Sequence, residues 1–435
     1  MLSEHFRSRK PSAIRIAGIR FAERNDGTEA VNVAIGNVSL PMHPAMIERM
    51  SRLAAPESPF HAGVVRYTPT VGLDETRRAF LHVIAASGFP TEGLHCQITE
   101  GGSQAMELVV VGLGGPAGSA DRPVLLIDAA YTNYKAFAQR TGRATVSITR
   151  HLADDGKFAL PDLAEIEKTI EAAKPAALVV IPYDNPTGQF FDHETLVVLA
   201  RLCVRHDLWM VSDEAYRELF YTDRDASSIW RIRGDEVPGI TGRRISIETS
   251  SKVWNACGLR IGAIVTDHEE FHTRAVAEAT ANLCPNAIGQ WVFGALAHED
   301  PEDLRTWFRT QRDYYRGMLR AFTERTRELL PEVIVSSPDA SLYSVVDVRK
   351  YAGPGFDALD FVLHCASDGR VELGGRPYTL LTAPMEEFYD TKPGRSNPGR
   401  TQMRIAYVET PERMALVPDL LASLLGTYVR RGAPA

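Results

Sequence analysis

One lysine stands apart in this sequence. Lys252 lies in the stretch ETSSKVWNACGLRIG (248–262), directly behind Thr249, Ser250 and Ser251 and eight residues before Arg260. The chain carries 40 arginines but only eight lysines, and no other lysine lies between Lys174 and Lys350. An apolar run, RISIE (244–248), leads into the hydroxyl cluster. A lysine held partly desolvated at a strand end serves as a nucleophile toward aldehydes. An arginine close by can pair with a phosphate. The plain alternative is a solvated surface charge in an ordinary polar loop, so the choice falls to the rest of the chain.

Three further stretches carry groups that fit such a site. In TEGGSQAMEL (99–108), Gly101 and Gly102 allow close backbone approach, Ser103 adds a hydroxyl, and an apolar-periodic helix follows. Free N–H groups at a helix start make an anion site. In IPYDNPTGQ (181–189), the chain breaks at Asn185-Pro186, and Asn185 offers an amide donor. In VSDEAYREL (211–219), Asp213 closes an apolar run, with Tyr216 three residues on. A carboxylate there is costly unless paired, and a protonated ring nitrogen is a suitable partner. Each stretch also has an ordinary use: a loop-to-helix turn, an Asn–Pro turn, an aspartate capping a helix.

Taken together, these groups suit pyridoxal 5′-phosphate. Its aldehyde meets Lys252, its ring nitrogen Asp213, and its phenolic oxygen Asn185 and Tyr216. Its phosphate suits Gly102, Ser103, Thr249 and Arg260, and Tyr131 in DAAYTNY can stack on the ring.

The elements that must position these residues are legible as an alternation. Short apolar runs at 124–128, 145–149, 177–183, 208–213, 244–248 and 262–266 read as strands. Helical-period segments near 161–173 and 192–206 lie between several of them. That pattern predicts an α/β fold with a mainly parallel sheet flanked by helices. In open sheets of this kind, ligands bind at the carboxyl ends of the strands. A long helix is expected after Asp300, with Pro301 in its first turn, and a last helix near 411–430. The expected division is an N-terminal arm with part of a small domain (1–59), a large ligand-binding domain (60–310), and an interdomain helix with the C-terminal part of the small domain (311–435).

The 435 residues, 44% hydrophobic, suffice for a large core. A net charge of −7 and no long basic run argue against nucleic acid as a partner. No apolar stretch approaches the ~18 residues of a membrane span. Five scattered cysteines without a C-x-x-C pair argue against a disulfide framework or a metal site, and suit a reduced, cytoplasmic setting.

In the order of these motifs, the sequence resembles fold-type I pyridoxal-phosphate enzymes of the aminotransferase class I/II family. The resemblance runs from VAIGNVSLPMHPAM (33–46) to MRIAYVETPE (403–412), and includes the spacings Asn185 to Asp213 and Lys252 to Arg260. It implies that Lys252 forms the internal aldimine, Asp213 keeps the pyridine nitrogen protonated, and Tyr131 stacks on the ring. It implies that Arg404 grips the substrate α-carboxylate, with a backbone N–H from Gly36. Tyr67, in RYTPTVGL, resembles the tyrosine that reaches the phosphate of a neighbouring subunit, so the resemblance implies a homodimer with shared active sites. Substrates would be an amino acid and a keto acid. The chain departs from the family pattern at Asn255 and Cys257 after the lysine and at Ala340 in PDASLY, and has no arginine in ANLCPNAIGQ (281–290). These departures bear on the substrate pocket rather than on the cofactor. The same first half-reaction also serves lyases, γ-replacement and C–C bond-forming enzymes acting on amino acids such as S-adenosylmethionine. A non-catalytic sensor, as in regulators with an aminotransferase-like domain, would need an added basic DNA-binding module, and no segment reads as one.

Overall fold

The computed structural model describes residues 1–390, 396–430 and 432. The apolar runs assemble into one seven-stranded sheet. Its order is His95–Thr99, Gly262–Thr266, Arg244–Thr249, Trp209–Asp213, Ala177–Val180, Val124–Asp128, Thr145–Thr149. Gly262–Thr266 runs antiparallel to both of its neighbours, and the other pairs are parallel. Every residue of Val124–Asp128, Ala177–Val180 and Gly262–Thr266 is buried, as expected of strands covered by helices on both faces. The run from 177 forms a strand only as far as Val180; Pro182 lacks the N–H that a ladder needs. The edge strand His95–Thr99 has no counterpart in the sequence reading, because its polar Gln97 and Thr99 mask a stretch that is nonetheless buried.

The helix expected after Asp300 spans Pro301–Leu329, and the Asp300 carboxylate accepts the Glu302 N–H at 2.7 Å. Leu304, Phe308, Tyr315, Met318, Leu319 and Phe322 form its buried stripe. The last helical stretch is two helices, Pro411–Met414 and Val417–Arg430.

Two smaller sheets lie outside the large one. In the first, Glu29–Asn32 runs parallel to Arg376–Leu381, which pairs antiparallel with Val371–Leu373. Residues from near the two ends of the chain are therefore hydrogen-bonded to each other. The second, wholly antiparallel, has the order Ile334–Val335, Tyr343–Asp347, Gln402–Ala406, Ala383–Pro384.

A buried ion pair ties the turns above the large sheet. Arg150 Nη2 lies 2.9 Å from both oxygens of Asp184 and 2.6 Å from the Ala129 carbonyl. Arg150 Nη1 reaches Gln189 Oε1 at 3.0 Å. Asp184 Oδ1 also accepts from Thr187 N and Oγ1, at 3.1 and 2.6 Å. The second small sheet is anchored at the same turn: Ser341 Oγ donates to the Asp184 carbonyl at 2.8 Å, and Ala340 N to the Gly188 carbonyl at 2.8 Å.

Candidate active site

Strand direction explains why residues far apart in sequence meet. Gly262 pairs with both Thr99 and Thr249. The antiparallel strand therefore starts where its neighbours end, and Arg260, just before it, comes to the rim reached by Gly101–Ser103 and by Ser250–Lys252. Approach there is close: a Cβ on Gly262 would lie 2.6 Å from the Gly101 carbonyl carbon and 2.8 Å from Gly102 N. Asp213 ends the next strand, paired with Ile247.

At one end of this rim the groups suit an anion. The helix Gly101–Leu113 begins with no side chain capping its first N–H groups. Gly101 has φ +68°, and a Cβ there would sit 2.5 Å from Arg260 Nη2. The guanidinium thus lies directly on the glycine backbone, at a position where a side chain would be both strained and blocked. Gly102 and Ser103 follow in the first turn of the helix. Thr249 Oγ1 and Ser251 Oγ are 2.7 Å apart, and Ser251 N donates to Thr249 Oγ1 at 3.1 Å.

At the other end are Lys252 and Asp213. The Lys252 amine donates to the Gly36 carbonyl. Among the described residues no acid pairs with it. Asp213 is half-buried at its strand end, with one oxygen accepting from Tyr134 Oη and the other from Ala215 N at 3.1 Å. No α-helix starts directly after Asp213 for it to cap. Burial raises its carboxyl pKa to about 6, against the counter-effect of the Tyr134 hydrogen bond. Asn185 Nδ2 donates to Tyr216 Oη at 3.3 Å. Burial, reinforced by Tyr343, holds the Tyr216 phenol well above its ordinary pKa, so it remains a neutral donor. Tyr131 stands edge-to-face with Tyr134, ring centroids 5.4 Å apart, and its hydroxyl accepts from Asn133 Nδ2 at 2.7 Å.

The smaller sheets deliver the last groups. Val33 N donates to the Leu381 carbonyl at 2.9 Å and Ala406 N to the Val33 carbonyl at 2.8 Å. Ala34 and Gly36 are thereby carried to the strand Gln402–Ala406. Arg404, 5% exposed, donates from Nη1 to Asn185 Oδ1 at 2.9 Å and from Nη2 to the Ala34 carbonyl at 2.6 Å. Asp347, on the strand paired with that of Arg404, is taken up by Arg349, Thr401 and Gln402. Among the described residues the buried Arg404 Nε–H has no partner, and each terminal nitrogen has a second N–H to give. A buried cation with spare donors and no carboxylate suits an anionic ligand. Tyr67 is separate from this cluster within one chain, and is 78% exposed.

Three residues of the cluster carried no signal in the sequence reading. Tyr134 follows Tyr131 by three residues, a spacing that could have marked it. Tyr343 contacts both Tyr216 and Arg404. The Ala34 carbonyl has no side-chain signature at all.

These residues fit pyridoxal phosphate. The uncapped helix start with Arg260 against Gly101 suits its phosphate, the Lys252 amine with only a backbone carbonyl as partner among the described residues suits its aldehyde, and the costly carboxylate of Asp213 its ring N–H.

Comparison with known proteins agrees. A family model described as aminotransferase class I and II matches residues 28–371. The aspartate/prephenate aminotransferase of Thermus thermophilus is 26% identical over 363 residues, covering 81% of this chain and 85% of that protein. A probable kynurenine–oxoglutarate transaminase of Saccharomyces cerevisiae is 27% identical over 277 residues, 60% of this chain and 58% of that one. Among solved structures, Thermus thermophilus aspartate aminotransferase with maleate superposes with a TM-score of 0.78 at 21% identity, covering 98% of this chain and 99% of that one. An aromatic aminotransferase from Pyrococcus horikoshii gives 0.75 at 20% identity, over 94% and 99% of the two chains. These superpositions show the fold. The chain belongs to the aminotransferase class I and II family. Its activity is that of a pyridoxal-phosphate-dependent aminotransferase.

The Asp213 pKa makes a prediction about the cofactor-free protein. The folded value, about 6, lies above the ordinary 3.8. Ionised Asp213 therefore costs the fold nothing at low pH, and costs most above pH 6, by an upper bound of about 3 kcal/mol. Asp213→Asn should raise the melting temperature of cofactor-free protein at pH 8, with the gain shrinking toward pH 5. A lower melting temperature at pH 8 would show that the carboxylate carries no such cost.

Proposed function

We propose that this aminotransferase binds pyridoxal phosphate on Lys252 and moves the α-amino group of an amino acid to a keto acid. We further propose that it works as a cytoplasmic homodimer, in which a large domain (60–310) and a small domain built from both chain ends close over a shared site. The observation that carries the reading is the Lys252 amine, set on the strand rim beside Gly36 with a backbone carbonyl and, among the described residues, no acid as partner.

When bound, the cofactor supplies an aldehyde and an electron-withdrawing ring that stabilises negative charge at the substrate Cα. The remaining work falls to the chain. Lys252 would hold the cofactor through its aldehyde, and its amine, once free, would serve as general base toward the substrate Cα proton and as general acid in handing that proton on. The Asp213 carboxylate accepts the ring N–H, and keeps that proton in place. Tyr216 and Asn185 donate to the phenolic oxygen. The N-terminus of Gly101–Leu113, Ser103, Thr249 and Arg260 hold the phosphate, and Tyr131 covers the ring. Arg404, with the Gly36 N–H, orients the α-carboxylate. A guanidinium does this through two parallel hydrogen bonds, a geometry that lysine cannot copy.

Support for the dimer comes from an exposed segment. Val64 and Val65 are 50% and 56% exposed, beside Tyr67. A partner subunit would cover this apolar run, and Tyr67 would reach that subunit's phosphate site.

Three measurements test these assignments. Borohydride reduction of cofactor-loaded protein, followed by peptide mass spectrometry, should place the pyridoxyl mass on Lys252. A label on a different lysine would remove Lys252 from its role. Arg404→Lys should weaken binding of every amino acid by about 10- to 100-fold, with the melting temperature and cofactor spectrum nearly unchanged. A structural role would instead lower the melting temperature and spare affinity. Sedimentation should give a dimer, and Tyr67→Phe should keep it dimeric while loosening cofactor binding. A monomer with unaltered cofactor affinity in the variant would rule out the shared site.

A further inference from the structure

One buried residue at the centre of the site has no part in the chemistry above. Tyr343 opens the strand Tyr343–Asp347 and is 2% exposed. Three contacts meet on it. Its hydroxyl oxygen lies 3.0 Å from Tyr216 Oη. Its ring lies 4.5 Å from the Arg404 guanidinium carbon, within cation–π range. A Cβ on Gly36 would stand 2.1 Å from Tyr343 Oη and 3.4 Å from Lys252 Nζ. Only glycine at position 36 leaves room for this hydroxyl beside the lysine.

The hydrogen-bond arithmetic sets the direction of the contact. Asn185 Nδ2 already donates to the Tyr216 oxygen. If the Tyr216 proton is given to the cofactor's phenolic oxygen, the Tyr343 hydroxyl must be the donor between the two tyrosines. Two donations into one phenol oxygen polarise its O–H and strengthen the bond it gives. The same ring meanwhile packs on the face of the Arg404 guanidinium, whose in-plane N–H groups are left for the substrate carboxylate. Packing alone would not need the hydroxyl, since phenylalanine fills nearly the same volume.

We propose that Tyr343 is a positioning residue. Its hydroxyl strengthens the hydrogen bond that Tyr216 gives to the cofactor's phenolic oxygen, and its ring holds Arg404 in place for the substrate carboxylate. The inference rests on the reading of Lys252, Tyr216 and Arg404 given under the proposed function. Gly36 is glycine, on this account, to admit the hydroxyl as well as to present its own N–H.

Tyr343→Phe and Tyr343→Leu separate the two roles. The first readout is the pH midpoint of the cofactor absorbance in substrate-free holoenzyme. The second is the Kd of 2-aminoisobutyrate, which carries a carboxylate and an amine but no Cα proton. Loss of the hydroxyl weakens the donation to the phenolic oxygen, its negative charge is less stabilised, and the neighbouring nitrogen keeps its proton to higher pH. Tyr343→Phe should therefore raise the midpoint by about half a pH unit, and leave the Kd within about twofold. Tyr343→Leu should raise the midpoint likewise, and weaken binding by roughly 5- to 30-fold. Gly36→Ala, which displaces the hydroxyl, should reproduce the midpoint shift should the leucine variant not fold. An unmoved midpoint in Tyr343→Phe, or an unchanged Kd in a folded Tyr343→Leu, would overturn the proposal, as would changes confined to melting temperature. Wild-type protein lacking any Lys252-linked absorbance would instead overturn the reading of the site itself, before Tyr343 is tested.

Discussion

The buried pair between Arg150 and Asp184 is the contact on which the geometry of the site depends. Asp184 precedes Asn185, and Arg150 also holds the carbonyl of Ala129, two residues before Tyr131. One guanidinium therefore fixes two turns that rise from different strands, and through Ser341 the same aspartate turn is tied to the strand bearing Tyr343. Removal of one partner from such a pair costs about 3–5 kcal/mol, largely because the other charge stays buried. Among the described residues, neither side chain hydrogen-bonds a candidate cofactor group. Their contribution is to let Asn185, Tyr131 and Tyr343 take positions that none of their local sequences would specify.

The site is divided between two kinds of sheet. The large sheet brings Thr249, Lys252, Asp213 and Arg260 to one rim by strand direction alone. The small sheets bring Arg404 and Gly36, and their register sets where these stand: Val345 faces Arg404 across the pair of strands, and Tyr343 faces Ala406. Asn185 is the junction, since it hydrogen-bonds Tyr216 on one side and Arg404 on the other. Groups suited to the cofactor and groups suited to the substrate thus share one amide.

Much of this was legible in the sequence because strand ends announce themselves. A buried parallel strand needs an unbroken apolar run, and a polar or charged residue closing it stands out: Asp213, the hydroxyls before Lys252, the turn at Asn185. The three strands 124–128, 145–149 and 262–266 have the boundaries that the runs suggested. The supporting partners were not legible. Tyr134 and Tyr343 look like ordinary core aromatics, and nothing local distinguishes the Arg150 charge from 39 other arginines. Their partners lie at sequence separations of 79, 127 and 34 residues, so only the fold brings them together. His95–Thr99 was missed for a different reason: a buried strand with polar side chains has neither the apolar run nor the alternation by which strands are read.

The half-buried carboxylate of Asp213 has a consequence beyond the reaction. A protein whose margin of stability is narrow and which holds an acid with no cation paired to it among the described residues would be less secure in its fold until the proposed vitamin-derived partner arrived. Cellular quality control removes chains according to the fraction that is unfolded, and ligand binding lowers that fraction by mass action. Newly made copies would accordingly persist when the vitamin is plentiful and be cleared when it is scarce. Abundance would follow nutrition without any dedicated sensor.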